Sequence, residues 1–204
     1  MSYYSQHYQK QPLSHTEIFY WQQFLGGIEG KILEVGCSAG QFLRVASEQT
    51  LGIDIDLDAL KIARSKGYQV SRQDICKGTA FPDDTFSAIH MHAILEHLKE
   101  PLLALIECRR ILKPGGRIIC LTPDIMRWKF TFWREDYTHI RPFSRKSLQM
   151  IAQDAGFKDI HIAEEPRYVK GSKRLPPRAG FRIHKFAYHL GWRNYANIIL
   201  LAIK

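Results

Sequence analysis

An α/β fold, doubly wound about a mainly parallel sheet, is what this sequence predicts, and three observations carry the prediction. From residue 31 onward, short apolar runs alternate with stretches of helical apolar spacing. The first run ends in a glycine-rich corner, and the second ends in an acid. Strands that are apolar along their whole length are buried on both faces, and parallel strands of this kind need crossover helices with right-handed connections.

The elements justify themselves in order. Residues 31–35 (KILEV) are an apolar run that meets Gly36, and residues 41–48 read as a helix, with Phe42, Leu43, Val45 and Ala46 at helical spacing. Residues 50–54 form a second run closed by Asp54. Residues 57–66 follow as a helix with Leu60, Ile62 and Ala63 apolar and Gly67 as its stop. A third strand is expected over 68–71 and a fourth over 86–90, after the turn Pro82, Asp83, Asp84. Residues 94–112 read as mainly helical up to Lys113, Pro114, Gly115 and Gly116, where proline and glycine forbid continuation. Residues 117–122 are a fifth strand, 145–155 a helix running to Gly156, 158–163 a strand, and 196–203 a final apolar run with β-branched residues. Between the last two lie Pro176, Pro177 and a helical stretch over 183–190.

A chain of 204 residues suits one domain with elaborations, here an N-terminal extension over 1–29 and a basic insertion over 166–195. With 45% hydrophobic and 12% aromatic residues the composition is globular, and no apolar run approaches the length of a bilayer span. The first residues, MSYYSQHYQKQP, lack the apolar core of a signal peptide, so a cytoplasmic location is expected. Cys37, Cys76, Cys108 and Cys120 are too scattered for a zinc pattern and are expected to be reduced. The 29 Lys and Arg against 20 Asp and Glu leave a formal charge of +9, and the last 39 residues hold nine of the bases and no acid. Such a patch attracts anions: nucleic acid, an anionic membrane surface or a phosphorylated acceptor.

The corner Glu34, Val35, Gly36, Cys37, Ser38, Ala39, Gly40 admits three chemistries. A dinucleotide site needs GxGxxG, and Ser38 stands where its second glycine belongs. GCSAG matches the GxSxG elbow of serine hydrolases, with His139, His161 or His184 as partners, yet it lies on the first strand, whereas such elbows follow several strands. The third reading uses more residues. Asp54, eighteen residues after Gly36, suits both hydroxyls of a ribose held over the corner. Asp74 suits an adenine amino group, with Ile55 and Ile75 as apolar walls. A glycine corner, a ribose acid and a base acid describe an adenosine site, and without a GxxxxGK[ST] lysine a phosphate-free nucleoside fits best.

At this point the sequence resembles the class I S-adenosylmethionine-dependent methyltransferases, of the small type 11-like kind. The resemblance rests on ILEVGCSAG, LGIDID, the Asp74 step, FPDDTFSAIHMHAILEHLKEP and RRILKPGGRIICLTP in that order, with YTHIRPFS and AGF beyond them. It departs from the family pattern at Ser38, where a glycine is usual, and at Ser87, where an acid is usual. The resemblance implies a Rossmann-like seven-stranded sheet whose last strand is antiparallel. It also implies S-adenosylmethionine as cofactor, with S-adenosylhomocysteine as product. Glu34, Gly36, Cys37, Ser38 and Gly40 then resemble the loop around the methionine part, Asp54 the ribose ligand and Asp74 the adenine ligand. Met91 resembles the position whose backbone faces the sulfonium.

Such a transfer needs alignment and exclusion of water, with no metal required. An oxygen acceptor loses a proton, so a histidine near neutral pKa helps. His92, His97 and His139 are the candidates. His139, past the fifth strand in YTHIRPFS, and His92 are taken as catalytic, while Glu96 and His97 equally suit a structural anchor. Asp54 and Asp74 also suit turns and helix caps, and Cys37 suits a small loop filler. Trp128, Phe130, Phe132, Trp133 and Tyr137 fit either core or an acceptor wall. The expected acceptor is a small molecule, sugar or lipid-linked group, methylated at oxygen, and the basic segment suits an anionic one. The basic segment, interleaved with Phe181, Phe186, Tyr188 and Trp192, suits peripheral membrane contact or nucleic acid, with RNA the weaker choice because no separate RNA module is visible. The alternatives are an RNA methyltransferase, a serine hydrolase and a non-catalytic protein that binds the cofactor.

Overall fold

The computed structural model describes residues 21–45, 48–166 and 193–204, together with positions 18, 179, 182, 183, 186 and 190. The helical stretch expected over 183–190, most of the basic insertion over 166–195 and the first part of the N-terminal extension lie outside the described residues.

Seven strands form one sheet: β1 (Ile32–Val35), β2 (Thr50–Asp54), β3 (Val70–Arg72), β4 (Phe86–His92), β5 (Leu112–Pro123), β6 (Lys158–Pro166) and β7 (Arg193–Ile203). Their spatial order is β3-β2-β1-β4-β5-β7-β6. β1, β2, β3, β4 and β5 pair in parallel, whereas β7 runs antiparallel to both β5 and β6. This is the Rossmann-like sheet with an antiparallel last strand that the sequence predicts.

Among the described residues the α-helices are α1 (Leu57–Ser65), α2 (Pro101–Ile111), α3 (Ile125–Trp128), α4 (Thr131–Glu135) and α5 (Arg145–Asp154). Local chemistry sets their ends. Asp56 caps α1 by accepting from the N–H groups of Asp58 and Ala59, and Ser144 closes a capping box with Ser147 at the start of α5. All four residues of β1 are buried, and Ile32, Leu33, Ile89, Ile118 and Ile119 are 0% exposed. Each such side chain contributes about 1.5–3 kcal/mol of burial. One apolar cluster joins Leu33, Ile89 and Ile118 to Leu105 of α2 and Leu148 of α5. The other face packs Ile32, Ala88 and Ile119 against Phe24, Leu25 and Phe42.

Three elements differ from expectation. In place of a helix over 41–48 there is a 3-10 turn, Leu43–Val45, with residues 46 and 47 outside the described residues. Its apolar side chains are drawn apart: Phe42 joins the cluster containing Phe24, while Leu43 packs with Cys37 and Leu60, so no single stripe exists to seat a helix. The long helix over 94–112 is divided into a 3-10 turn, Leu95–His97, and α2, which starts at Pro101 because proline has no N–H to extend the earlier turn. Finally, β5 begins at Leu112, pairing with Phe86 across an irregularity, before regular pairing resumes at Arg117 opposite Ala88. The glycines at 115 and 116 are absorbed in that irregularity, which agrees with the role of glycine in bulged strands.

Candidate functional site

The segments beyond the carboxyl ends of β1, β2, β3, β4 and β5 carry the predicted residues. Beyond β1 the chain turns through Gly36 (φ +74°), Ser38 (φ +45°) and Gly40 (φ +83°), and beyond β4 through Ala93 (φ +54°). Left-handed backbone at non-glycine residues stores about 1–3 kcal/mol each, and such strain gathers at functional sites. The amides of Gly36 and Cys37 both donate to the Ile53 carbonyl, at 2.8 and 3.0 Å, which ties the corner to β2.

Asp54, the last residue of β2, accepts at Oδ2 from the Ser38 N–H (2.8 Å) and at Oδ1 from the Asp56 N–H (2.9 Å). A carboxylate offers about four lone-pair sites, so each oxygen keeps capacity for a further donor. Ile55 beside it is 64% exposed. Asp74 caps a 3-10 turn, Ile75–Lys77, by accepting from the Cys76 N–H, and lies 3.5 Å from Lys77 Nζ. Ile75, expected as an apolar wall, is buried in the main core and packs the interior; the Met91 side chain is buried there too, its expected role being that of its main chain. Cys37 is likewise inward, against Gly52 and Leu43, and burial pushes its thiol far above the ordinary range. It is a filler rather than a nucleophile.

The two corner glycines are required by protein neighbours. A Cβ on Gly36 would lie 2.0 Å from Ile94 Cδ1, and one on Gly40 would lie 2.4 Å from the Tyr68 ring. The Ser38 hydroxyl is buried and has no hydrogen-bond partner among the described residues. His161, one suggested partner for it, lies on β6, with β4, β5 and β7 between it and β1. The third, His184, lies outside the described residues. The hydrolase geometry is therefore not assembled by the described residues.

Behind the corner, Glu34 and His90 face each other across β1 and β4, with His90 Nδ1 2.6 Å from Glu34 Oε2 and both side chains buried. Burial holds the His90 imidazole at about 3, so its neutral form donates from Nδ1 to the carboxylate, while its ring stacks on Phe42 at 4.0 Å. Periodicity alone had no means of finding this pair. A lone acid inside a fully apolar strand was the available signal, and its partner sits on a strand 56 residues away.

The histidine candidates separate into two places. His92 ends β4, exposed, its ring 6.0 Å from that of His90. His97 and His139 instead come together, with ring centroids 4.7 Å apart, and Glu96 joins them. The segment 136–143 is tied to the turn after β4, because the amides of Ile140 and Arg141 both donate to the Glu96 carbonyl. His139 is buried, stacked on Phe132, and bonded through Nδ1 to the Phe132 carbonyl at 2.6 Å. Glu96 is 0% exposed, and burial raises its carboxyl to about 7 even though Thr122 donates to Oε2 at 3.0 Å. The aromatic segment has a split role: Phe132 is fully buried, while Phe130 and Tyr137 are 87% and 92% exposed.

A family model described as a methyltransferase domain matches residues 9–162 of this chain. Over 113 residues the chain is 34% identical to a ubiquinone biosynthesis O-methyltransferase of Alkalilimnicola ehrlichii, which covers 50% of this chain and 46% of that protein. Over 169 residues it is 29% identical to a demethylmenaquinone methyltransferase of Lactiplantibacillus plantarum, covering 64% of this chain and 71% of that one. The chain thus spans about half the length of the first of these relatives. The fold matches a SAM dependent methyltransferase of Archaeoglobus fulgidus with a TM-score of 0.74 over 100% of both chains, at 19% identity.

Proposed function

Because this chain belongs to the methyltransferase domain family, we propose that it transfers a methyl group from S-adenosylmethionine to an oxygen of a small-molecule, sugar or lipid-linked acceptor. One observation carries the reading: Asp54 stands at the lip of the glycine corner, fixed by two backbone amides, with lone pairs left for further donors. That donor set fits a ribose, and the exposed Ile55 beside it fits the face of an adenine. The residues that would hold the cofactor are the backbone of Gly36, Cys37, Ser38 and Gly40, the carboxylates of Asp54 and Asp74, and the Met91 main chain. Glu34, the residue two before Gly36, is held by His90, and Ile75 belongs to the core cluster that contains Val35 and Ile53. Bound there, the cofactor supplies an electrophilic methyl on a sulfonium, which an acceptor oxygen takes by in-line displacement.

On the acceptor side, the bond from His139 Nδ1–H to the Phe132 carbonyl fixes the tautomer and leaves Nε2 as the basic nitrogen. His139 is thereby suited to take the acceptor's proton, while exposed His92 stands apart from it at the end of β4. The relatives named for ubiquinone and menaquinone biosynthesis favour a small-molecule acceptor over RNA. The nine bases in the last 39 residues suit an acceptor that is anionic or held at a membrane surface.

Calorimetric titration with S-adenosylhomocysteine tests the proposal. Removing a charged acceptor from a hydrogen bond costs about 1.5–3 kcal/mol, so Asp54→Ala is expected to weaken binding by roughly 10- to 150-fold. Equal affinity in wild type and Asp54→Ala refutes the ribose role, and absence of binding to the wild type refutes the cofactor reading. Incorporation of labelled methyl from a cell extract then identifies the acceptor.

A further inference from the structure

Glu96, His97 and His139 each bring one potential ligand atom to a point where all three atoms lie within 4.8 Å of one another. Tetrahedral ligand atoms about 2 Å from a common ion lie about 3.3 Å apart, so the widest separation within the three closes by up to about 1.5 Å to share one. Three further observations distinguish this group from a chance contact.

The first is an orphan. Glu96 is 0% exposed, Oε2 is occupied by the Thr122 hydroxyl, and Oε1 is buried with no hydrogen-bond partner. A buried carboxylate oxygen left unpaired costs free energy, which a ligand at that oxygen removes. The second is the tautomer of His139. A carbonyl only accepts, so the 2.6 Å contact to Phe132 requires a proton on Nδ1 and places the lone pair on Nε2. The third is the tautomer of His97. Thr138 Oγ1 gives its proton to Asp136 Oδ1 at 2.6 Å, which leaves Thr138 as the acceptor for His97 Nδ1–H at 2.9 Å. His97 too is oriented with the lone pair on Nε2. An imidazole whose far N–H is held by a carbonyl or by a carboxylate relay is the arrangement that orients histidine ligands around metals.

From this geometry we propose that Glu96, His97 and His139 form a binding site for a divalent transition-metal ion. Two imidazoles and one carboxylate make a borderline donor set, suited to zinc, cobalt or iron(II) rather than to magnesium or calcium, which demand oxygen ligands. Asp136 Oδ2, 3.9 Å from His139 Nε2, stands next to the three as a further oxygen. With three protein ligands the ion would keep open positions for an acceptor oxygen and would acidify its proton in place of the base role of His139, because Nε2 cannot ligate the ion and take a proton at once. That last role rests on the methyltransferase reading; the binding of the ion does not. The turn that carries Glu96 and His97 and the segment that carries His139 are already joined at the Glu96 carbonyl, so the ion would lock two elements together beyond the ends of β4 and β5.

The test is titration of the full chain, stripped with a chelator, with cobalt(II) chloride while visible absorption is recorded, and with zinc chloride in a calorimeter. One equivalent of cobalt giving a d–d band is expected, with zinc displacing it. Glu96→Gln and His97→Gln are each expected to weaken binding at least about tenfold. Thermal melting and S-adenosylhomocysteine binding are measured on the same samples, so that loss of fold, or failure of the cofactor reading, is distinguished from loss of the metal. On the unmodified protein, cobalt should broaden the amide resonances of His97, Thr138 and Ile140 first. No saturable cobalt binding, unchanged affinity in folded Glu96→Gln and His97→Gln proteins, or broadening centred on other histidines or on the cysteines overturns the proposal.

Discussion

Ser38 occupies a backbone conformation made for glycine, and replacing it should stabilise the protein. Its φ of +45° places a Cβ in the left-handed region, at a cost of about 1–2 kcal/mol. Its buried hydroxyl has no partner among the described residues, which adds about 1–3 kcal/mol. Against this, glycine loses more backbone freedom on folding, by about 0.5–1 kcal/mol. Taking the lower end of each range, Ser38→Gly is expected to gain about 1.5 kcal/mol, which for a chain of this size is about 3–6 °C in Tm. Ser38→Ala discards the hydroxyl but keeps the strained Cβ, so it should recover only about two thirds of that gain. The donor of the Ser38–Asp54 bond is a main-chain amide, and both variants keep it. Urea denaturation and thermal melting of the three proteins decide the matter. If Ser38→Gly melts no higher than Ser38→Ala, the strain argument fails; if neither exceeds wild type, the orphaned hydroxyl fails with it.

Two other predictions follow from packing and charge. Glu107 accepts from the Thr79 amide and hydroxyl and from Arg110, and although burial alone would raise its carboxyl, these bonds outweigh burial and hold it at about 2. A carboxyl depressed in the fold stabilises above its ordinary 4.5, and that stabilisation is lost as pH falls from about 4.5 to about 2. Glu107→Ala should therefore cost about 1–3 kcal/mol in urea denaturation at pH 7, and progressively less as pH falls below 4.5. Gly40→Ala places a Cβ 2.4 Å from the Tyr68 ring at φ +83° and should cost about 1–3 kcal/mol; the double variant with Tyr68→Ala should recover the clash but not the backbone strain, as a double-mutant cycle in Tm will reveal.

The alternation of apolar runs and helical spacing was enough to place six strands, and the resemblance made the apolar run over 196–203 the seventh; strands such as β1 and β4, buried along most of their length, leave an apolar signature that needs no knowledge of neighbours. The corner at Gly36 and the acid at Asp54 were equally legible, since strand-terminal turns impose residue types locally. What failed locally failed for tertiary reasons. Residues 41–48 have helical spacing, yet Phe42 and Leu43 are claimed by different clusters, so the regular helix is lost. Ile75 reads as an apolar wall, yet its side chain packs into the core.

Sequence by itself determined the order of elements, the glycine corner and the acid after the second strand, because each depends on backbone sterics or on periodicity within a few residues. Only the tertiary structure decided which distant polar groups meet. Glu34 meets His90 through the register of β1 with β4, and Glu96 and His97 meet His139 because the chain after β5 folds back onto the turn after β4. Contacts between residues tens of positions apart are fixed by sheet register and loop closure, and a pattern that repeats every two or four residues carries no trace of either.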